Sequence, residues 1–202
     1  MSPEGPARLL VRYPSRIRVD EEIDLRLVRK RDATEIFALT ERNRAYLRRW
    51  LPWVDGTRSV EDTRAFIQRS QEQVRVGQGF QSGIVFRGEL VGVMGFVYVD
   101  GANRRAEIGY WISEDHQGRG IMTRACRALV DFAFGSLRLN RVEIRADMEN
   151  RRSRAIPERL GFRQEAVFRG AGWMYDHHID LVMYSMLRDE WDAARATGAA
   201  KP

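Results

Sequence analysis

Glu107-Ile-Gly-Tyr-Trp-Ile-Ser-Glu-Asp-His-Gln-Gly-Arg-Gly-Ile-Met-Thr123 decides how the rest of the chain is read. Its first half alternates like a strand ending near Ser113. A helix pattern starts at about Ile121 and carries Ala125, Leu129, Phe132 and Ala133 on its inner face. The loop between them holds Gly118 and Gly120. Glycine lets a backbone approach a ligand closely, and a helix N-terminus adds free N–H donors and roughly half a positive charge. Such a loop is a pyrophosphate cradle. Its backbone donors would be Gly118, Arg119, Gly120, Ile121 and Met122, with Gln117, Thr123 and Arg124 beside them. A tight strand-to-helix turn is the plain alternative. No Gly-Lys-Ser/Thr ending follows, which disfavours a P-loop, and no strand-helix-strand unit opens the chain, which disfavours a Rossmann site.

Outward from this loop the periods alternate between two and 3.6. Asp24–Arg29 reads as a strand, Ala33–Leu47 as a helix broken by Trp50-Leu-Pro-Trp53, and Ser59 as the cap of a helix running to Val76 and stopped at Gly77. Phe80–Phe86, Leu90–Val99 and Ala106–Ile112 follow as strands, the first two joined at Arg87-Gly88. Beyond the cradle helix come a strand at Val142–Ala146, a short helix at Asn150–Leu160 closed by Gly161, and strands at Phe162–Phe168 and Ile179–Leu187. This order predicts an α+β domain over residues 23–190. A polar lead-in at 1–22 precedes it and a flexible tail at 191–202 follows.

Composition removes several classes. The 202 residues suit one domain, and 44% hydrophobic content suffices for a core. No apolar run approaches the ~18 residues of a membrane helix. Arg8, Arg12, Arg16 and Arg18 leave no apolar stretch for a secretory signal, so a soluble cytoplasmic protein is expected. Cys126 is the single cysteine, which excludes an internal disulfide; beside Leu129 and Val130 it reads as core rather than as a nucleophile. Asp176-His-His178 with Asp180 reads as a solvated loop entering a strand rather than a metal site, because adjacent histidines on a strand face opposite ways. No metal is expected.

A second segment, Asn150-Arg-Arg-Ser-Arg-Ala-Ile-Pro-Glu-Arg-Leu-Gly-Phe162, lies thirty residues past the cradle. Together the two resemble the GNAT acetyl-CoA-dependent N-acetyltransferase superfamily. The cradle matches Gln/Arg-x-x-Gly-x-Gly/Ala at Gln117, Gly120 and Met122, and the second segment matches Asn-x-x-Ser/Ala…Glu-x-Leu-Gly-Phe. Asn43-Arg44, Leu47, Trp50-Leu51, Glu61-Asp62-Thr63 and Ala106-Glu-Ile-Gly-Tyr-Trp111 make the likeness closer to the RimJ/RimL branch of ribosomal-protein N-terminal acetyltransferases. Two positions depart from the wider superfamily. Met122 stands where Gly or Ala is usual, and Pro157 stands where many members carry a tyrosine proposed as general acid.

The resemblance implies a GNAT fold: a mixed, mostly antiparallel sheet of about seven strands and about four helices, splayed at the strand before the cradle. Pantetheine would lie in that gap, along Ile108–Ser113. Ile112 or Ser113 would turn an N–H to the thioester carbonyl. Asn150 would hold the pantetheine arm, or cap the second helix, or do both. The implied reaction is acetyl transfer from acetyl-CoA to a primary amine, with a protein N-terminus favoured because an α-amine has a pKa of roughly 7.7–8.0 against about 10.4 for lysine. Glu107, through a water, would be the base, and Ser153 would protonate the leaving thiolate. Glu107 alternatively reads as a surface acid facing Arg104 or Arg105, and Ser153 as an exposed first-turn serine. Trp50, Trp53, Trp173 and Tyr175 belong either to the core or to an acceptor groove. A small-amine acetyltransferase, a non-catalytic CoA-binding module and a nucleic-acid binder are the alternatives. A homodimer is in keeping with the branch.

Charge favours the cofactor over nucleic acid. There are 34 basic and 28 acidic residues, and only Lys30 and Lys201 are lysines. His116–Arg163 contains 11 arginines and 5 acids, so the whole +6 surplus lies in the stretch that carries both motifs. Arg119 and Arg124 are the expected phosphate partners, with Arg127 and Arg151 behind them.

Overall fold

The computed structural model describes residues 13–197; the start of the expected lead-in and the last five residues of the expected tail lie outside them. Eight strands form one sheet: β1 (Arg16–Arg18), β2 (Ile23–Leu27), β3 (Phe80–Phe86), β4 (Glu89–Asp100), β5 (Arg105–Ile112), β6 (Arg141–Asp147), β7 (Arg163–Met174) and β8 (His177–Leu187). Their order is β1-β2-β3-β4-β5-β6-β8-β7, and every neighbouring pair is antiparallel except β5 and β6. Six helices accompany them: α1 (Ala33–Arg42), α2 (Arg44–Arg48), α3 (Val60–Val76), α4 (Ile121–Gly135), α5 (Arg151–Arg159) and α6 (Arg188–Ala196).

The helices segregate by face. α1 and α3 pack on one side, where Ile36, Leu39 and Ile67 meet Leu90 and Val93. α4 lies on the other, burying Ile121, Ala125, Leu129 and Ala133 against Phe96, Ala106, Ile108, Val142 and Ile144 in the main core. α3 starts as its sequence dictates. Ser59 accepts from the Asp62 N–H, the Asp62 carboxylate accepts from the Ser59 N–H at 2.9 Å, and Gly77 closes the helix at φ 74°.

Four elements differ from expectation. The first helix is divided at Asn43, whose Nδ2 donates to the Leu39 carbonyl and whose Oδ1 accepts from the Glu114 N–H, each at 2.9 Å or less. That side chain breaks the ladder and ties α1 to the cradle loop. The lead-in supplies β1, and Tyr13 before it is buried on Phe80. The expected tail is helical as far as Ala196, as part of α6, where Trp191 is buried and its Nε1 donates to Asp131. β7 runs on to Met174, pairing with β8 through irregular register.

The parallel pair positions the site. β5 and β6 are matched only from Arg105↔Arg141 to Ile108↔Ile144. β5 then continues to Ile112 along β4, and β6 to Asp147 along β8, so a gap opens between their C-terminal ends.

Candidate active site

A cavity of about 1440 Å³ occupies this gap and the space around it. One wall is β5 from Ile108 to Ile112, and the facing wall is Arg145–Asp147 and the start of α5. The cradle forms its floor. Gly118 and Gly120 both adopt positive φ, 72° and 70°, and a Cβ on either would meet nothing within 4 Å, so the left-handed backbone rather than crowding calls for glycine. Gly120 is the N-cap of α4 and offers no side-chain cap, which leaves the N–H groups of the first turn open to an anion.

Most of the expected cofactor residues meet here. Ile112, Gln117, Gly118, Arg119, Gly120, Ile121, Met122, Thr123, Arg124 and Asn150 all line the cavity. The Asn150 Oδ1 accepts from the Ser153 N–H at 3.1 Å, which makes Asn150 the cap of α5 and leaves its Nδ2 for a ligand. Gln117 accepts from Arg152, fastening cradle to α5.

Three expected residues are placed otherwise. Ser113 does not line the cavity, and its N–H is spent on the Val91 carbonyl at 2.8 Å. By alternation the N–H groups of Tyr110 and Ile112 turn the other way, into the gap. Arg124 lines the cavity, but its guanidinium is held by Asp20 at 2.8 Å and Glu22 at 3.1 Å on the β1–β2 turn. Glu107 is buried, is not part of the cavity wall, and is paired with Arg145. It stands on the face of β5 away from α4, where Arg145 of the adjoining strand covers it.

Among the described residues Arg119 forms no ion pair. A phosphate contact from a free guanidinium is worth about 1.5 kcal/mol or more, so Arg119→Ala should weaken acetyl-CoA about tenfold by calorimetry. Arg124→Ala should weaken CoA and 3′-dephospho-CoA equally, since its charge is already answered by two carboxylates. A selective loss for the 3′-phosphorylated form would return Arg124 to the phosphate.

Sequence reasoning missed Tyr110. Its hydroxyl donates to the Ser153 carbonyl at 3.0 Å and accepts from the Ser153 Oγ at 3.4 Å. The signal was Pro157: proline has no N–H, so the Ser153 carbonyl four residues earlier lacks its helical donor. Tyr110 fills the vacancy from the strand. Burial raises its pKa well above the ordinary phenol value, so the hydroxyl stays a proton donor.

The opposite mouth is aromatic. Tyr46, Trp50, Leu51, Pro52, Trp173, Ile179 and Leu181 line it. Trp53 instead leans on Trp111 at 6.1 Å, and Tyr175 ties the β7–β8 hairpin across the mouth, its hydroxyl donating to the Leu51 carbonyl at 2.6 Å beneath the Arg48 guanidinium. Cys126 is fully buried, and burial pushes its thiol up to about 12, which suits a core residue. His177 pairs with Asp176, and His178 packs against Trp173.

A family model described as "Acetyltransferase (GNAT) domain" matches residues 22–163. The chain belongs to the GNAT acetyltransferases. It is 38% identical over 179 residues to a Bacillus subtilis protein provisionally named as the ribosomal N-acetyltransferase YdaF, covering 88% of this chain and 98% of that one. It is 31% identical over 173 residues to the ribosomal-protein-serine acetyltransferase of Escherichia coli, covering 86% and 97%. The solved structure of the RimL ribosomal L7/L12 α-N-protein acetyltransferase with coenzyme A superposes with a TM-score of 0.84 at 27% identity, covering 87% of this chain and 99% of that one. The microcin C7 self-immunity acetyltransferase MccE, solved with acetyl-CoA and AMP, gives 0.82 at 28%, covering 87% and 97%. The protein is therefore an N-acetyltransferase that uses acetyl-CoA.

Proposed function

We propose that the acceptor is the N-terminal α-amine of a protein or peptide, acetylated by direct attack on acetyl-CoA in the gap between β5 and β6. The observation that carries this reading is the charge of the cavity wall: seven arginines against two carboxylates, Glu114 and Asp147. A polyamine presents several ammonium groups and needs several acids to meet them, whereas an N-terminus presents one. The aromatic mouth suits the peptide that follows that single amine. An α-amine is also substantially neutral near pH 7.5, so a weak base suffices.

In this reading Ile112 polarises the carbonyl through its N–H, Asn150 holds the pantetheine arm, and the thiolate departs toward Ser153. The RimL and serine-acetyltransferase relatives, named for ribosomal-protein substrates, support the same acceptor class. A cytoplasmic homodimer belongs to the same reading.

The test is acetylation of peptides followed by mass spectrometry. A peptide with a free N-terminus should gain one acetyl group, and the same peptide with a blocked N-terminus and an internal lysine should gain none. Turnover of spermidine without turnover of any peptide would sink this reading.

A further inference from the structure

The base is the role that the geometry leaves open. Along β6 the side chains alternate: Val142 and Ile144 enter the main core, so Glu143, Arg145 and Asp147 face the side away from α4. Glu143 is buried and held by Arg141 and by the Tyr98 hydroxyl at 2.6 Å. Glu107 from β5 is buried beneath Arg145. Asp147 is different. It is the last residue of β6, just past the point where the strands part, and it lines the cavity. Its Oδ1 accepts from the Glu149 N–H at 2.8 Å, an Asx turn that leads the chain into α5. Its Oδ2 has no hydrogen bond or ion pair among the described residues. The other lining carboxylate, Glu114, belongs to the cradle loop after β5, where its N–H is bound by Asn43.

We infer that Asp147, and not Glu107, is the carboxylate that meets the acceptor's amino group. This rests on the amine-acetylating reading above. The amine nitrogen attacks the thioester carbon; as the C–N bond forms and the C–S bond breaks, a nitrogen proton passes to Asp147 Oδ2 and on to water. The departing sulfur takes a proton from Ser153, which water restores. One oxygen of Asp147 holds the turn and the other holds the amine, so position and charge come from a single residue. Glu107 serves Arg145, keeping its guanidinium paired on the strand beside Asp147 rather than free to compete for that carboxylate.

Asp147→Asn separates the two oxygens, because the amide oxygen still accepts from Glu149 while the charge is gone. It should melt like the wild type and bind acetyl-CoA with unchanged affinity, yet lose kcat/KM for the acceptor by about 100-fold or more. Glu107→Gln should lose less than about fivefold in kcat/KM and should melt earlier, since it leaves Arg145 without its charge partner. Asp147→Ser, whose hydroxyl can also accept from Glu149, repeats the first test if the asparagine variant is unstable. Full turnover in either Asp147 variant, or a large turnover loss in Glu107→Gln at unchanged stability, would overturn the assignment. If the wild type acetylates only a small amine, the N-terminal reading fails, and the same comparison made with that amine still decides between the two carboxylates.

Discussion

Gly95→Ala should unfold the protein at a temperature well below the wild type, by far more than a methyl group ordinarily costs. Gly95 lies in the middle of β4, matched with Gln81 on one side and Gly109 on the other. A Cβ there would stand 1.8 Å from the Phe80 carbonyl oxygen and 2.8 Å from the Gln81 Cα. Both are backbone atoms of a flanking strand, so no rotamer change can relieve them; β3 and β4 would have to part. Overpacking in a closed core costs about 1–3 kcal/mol and more where the neighbours cannot yield, and a domain has only about 5–15 kcal/mol to lose. We expect a loss of about 3 kcal/mol or more, visible as a fall of roughly 10 °C in thermal unfolding. Gly135→Ala is the contrast. That glycine ends α4, and a Cβ there would meet nothing within 4 Å, so alanine should be neutral or stabilise by up to about 1 kcal/mol. Equal behaviour of the two variants would mean that β3 and β4 can separate at little cost.

The same residues show which parts of the molecule a sequence can carry. The cradle was legible because its geometry is local: a strand, two glycines and a helix start are adjacent, and the loop that turns its N–H groups into the cavity is the loop that the period change reveals. The cap of α3 at Ser59 and the Asn150 cap were legible for the same reason. What was hidden depends on residues far apart. Glu107 lies just upstream of the cradle in the sequence, yet its environment is set by Arg145, 38 residues away on the parallel neighbour. Arg124 looks like a phosphate ligand until β1 and β2 bring Asp20 and Glu22 to it across more than a hundred residues. Neither β1 nor α6 has a hydrophobic period long enough to stand out; each is a short element made stable by Tyr13 or Trp191 entering a core built by other segments. Motif and period thus expose the loop and helix starts that line the cavity, whereas the pairing of charges waits on the sheet order.

Ser153→Ala should reduce kcat by about 100-fold near pH 7 with little change in acetyl-CoA affinity, the low end of general acid catalysis because a thiol of pKa about 8.5 is already a good leaving group. The deficit should narrow above pH 9, where the thiolate no longer needs a proton; a deficit that does not vary with pH would remove Ser153 from that role. Tyr110→Phe tests what holds Ser153 in place. Pro157 denies the Ser153 carbonyl its helical N–H, and the Tyr110 hydroxyl at 3.0 Å is the donor that replaces it. Removing that hydroxyl leaves a partly buried carbonyl unpaired, at a cost of about 1–3 kcal/mol, and frees the first turn of α5 to shift, so kcat should fall as well. Pro157→Ala restores an N–H four residues beyond Ser153. In that background Tyr110→Phe should cost at least about 1 kcal/mol less, the coupling that a double-mutant cycle on thermal unfolding measures. Additive losses would mean that the proline and the tyrosine act independently. Coupled losses would mean that the tyrosine hydroxyl stands in for the N–H that Pro157 withholds from the Ser153 carbonyl.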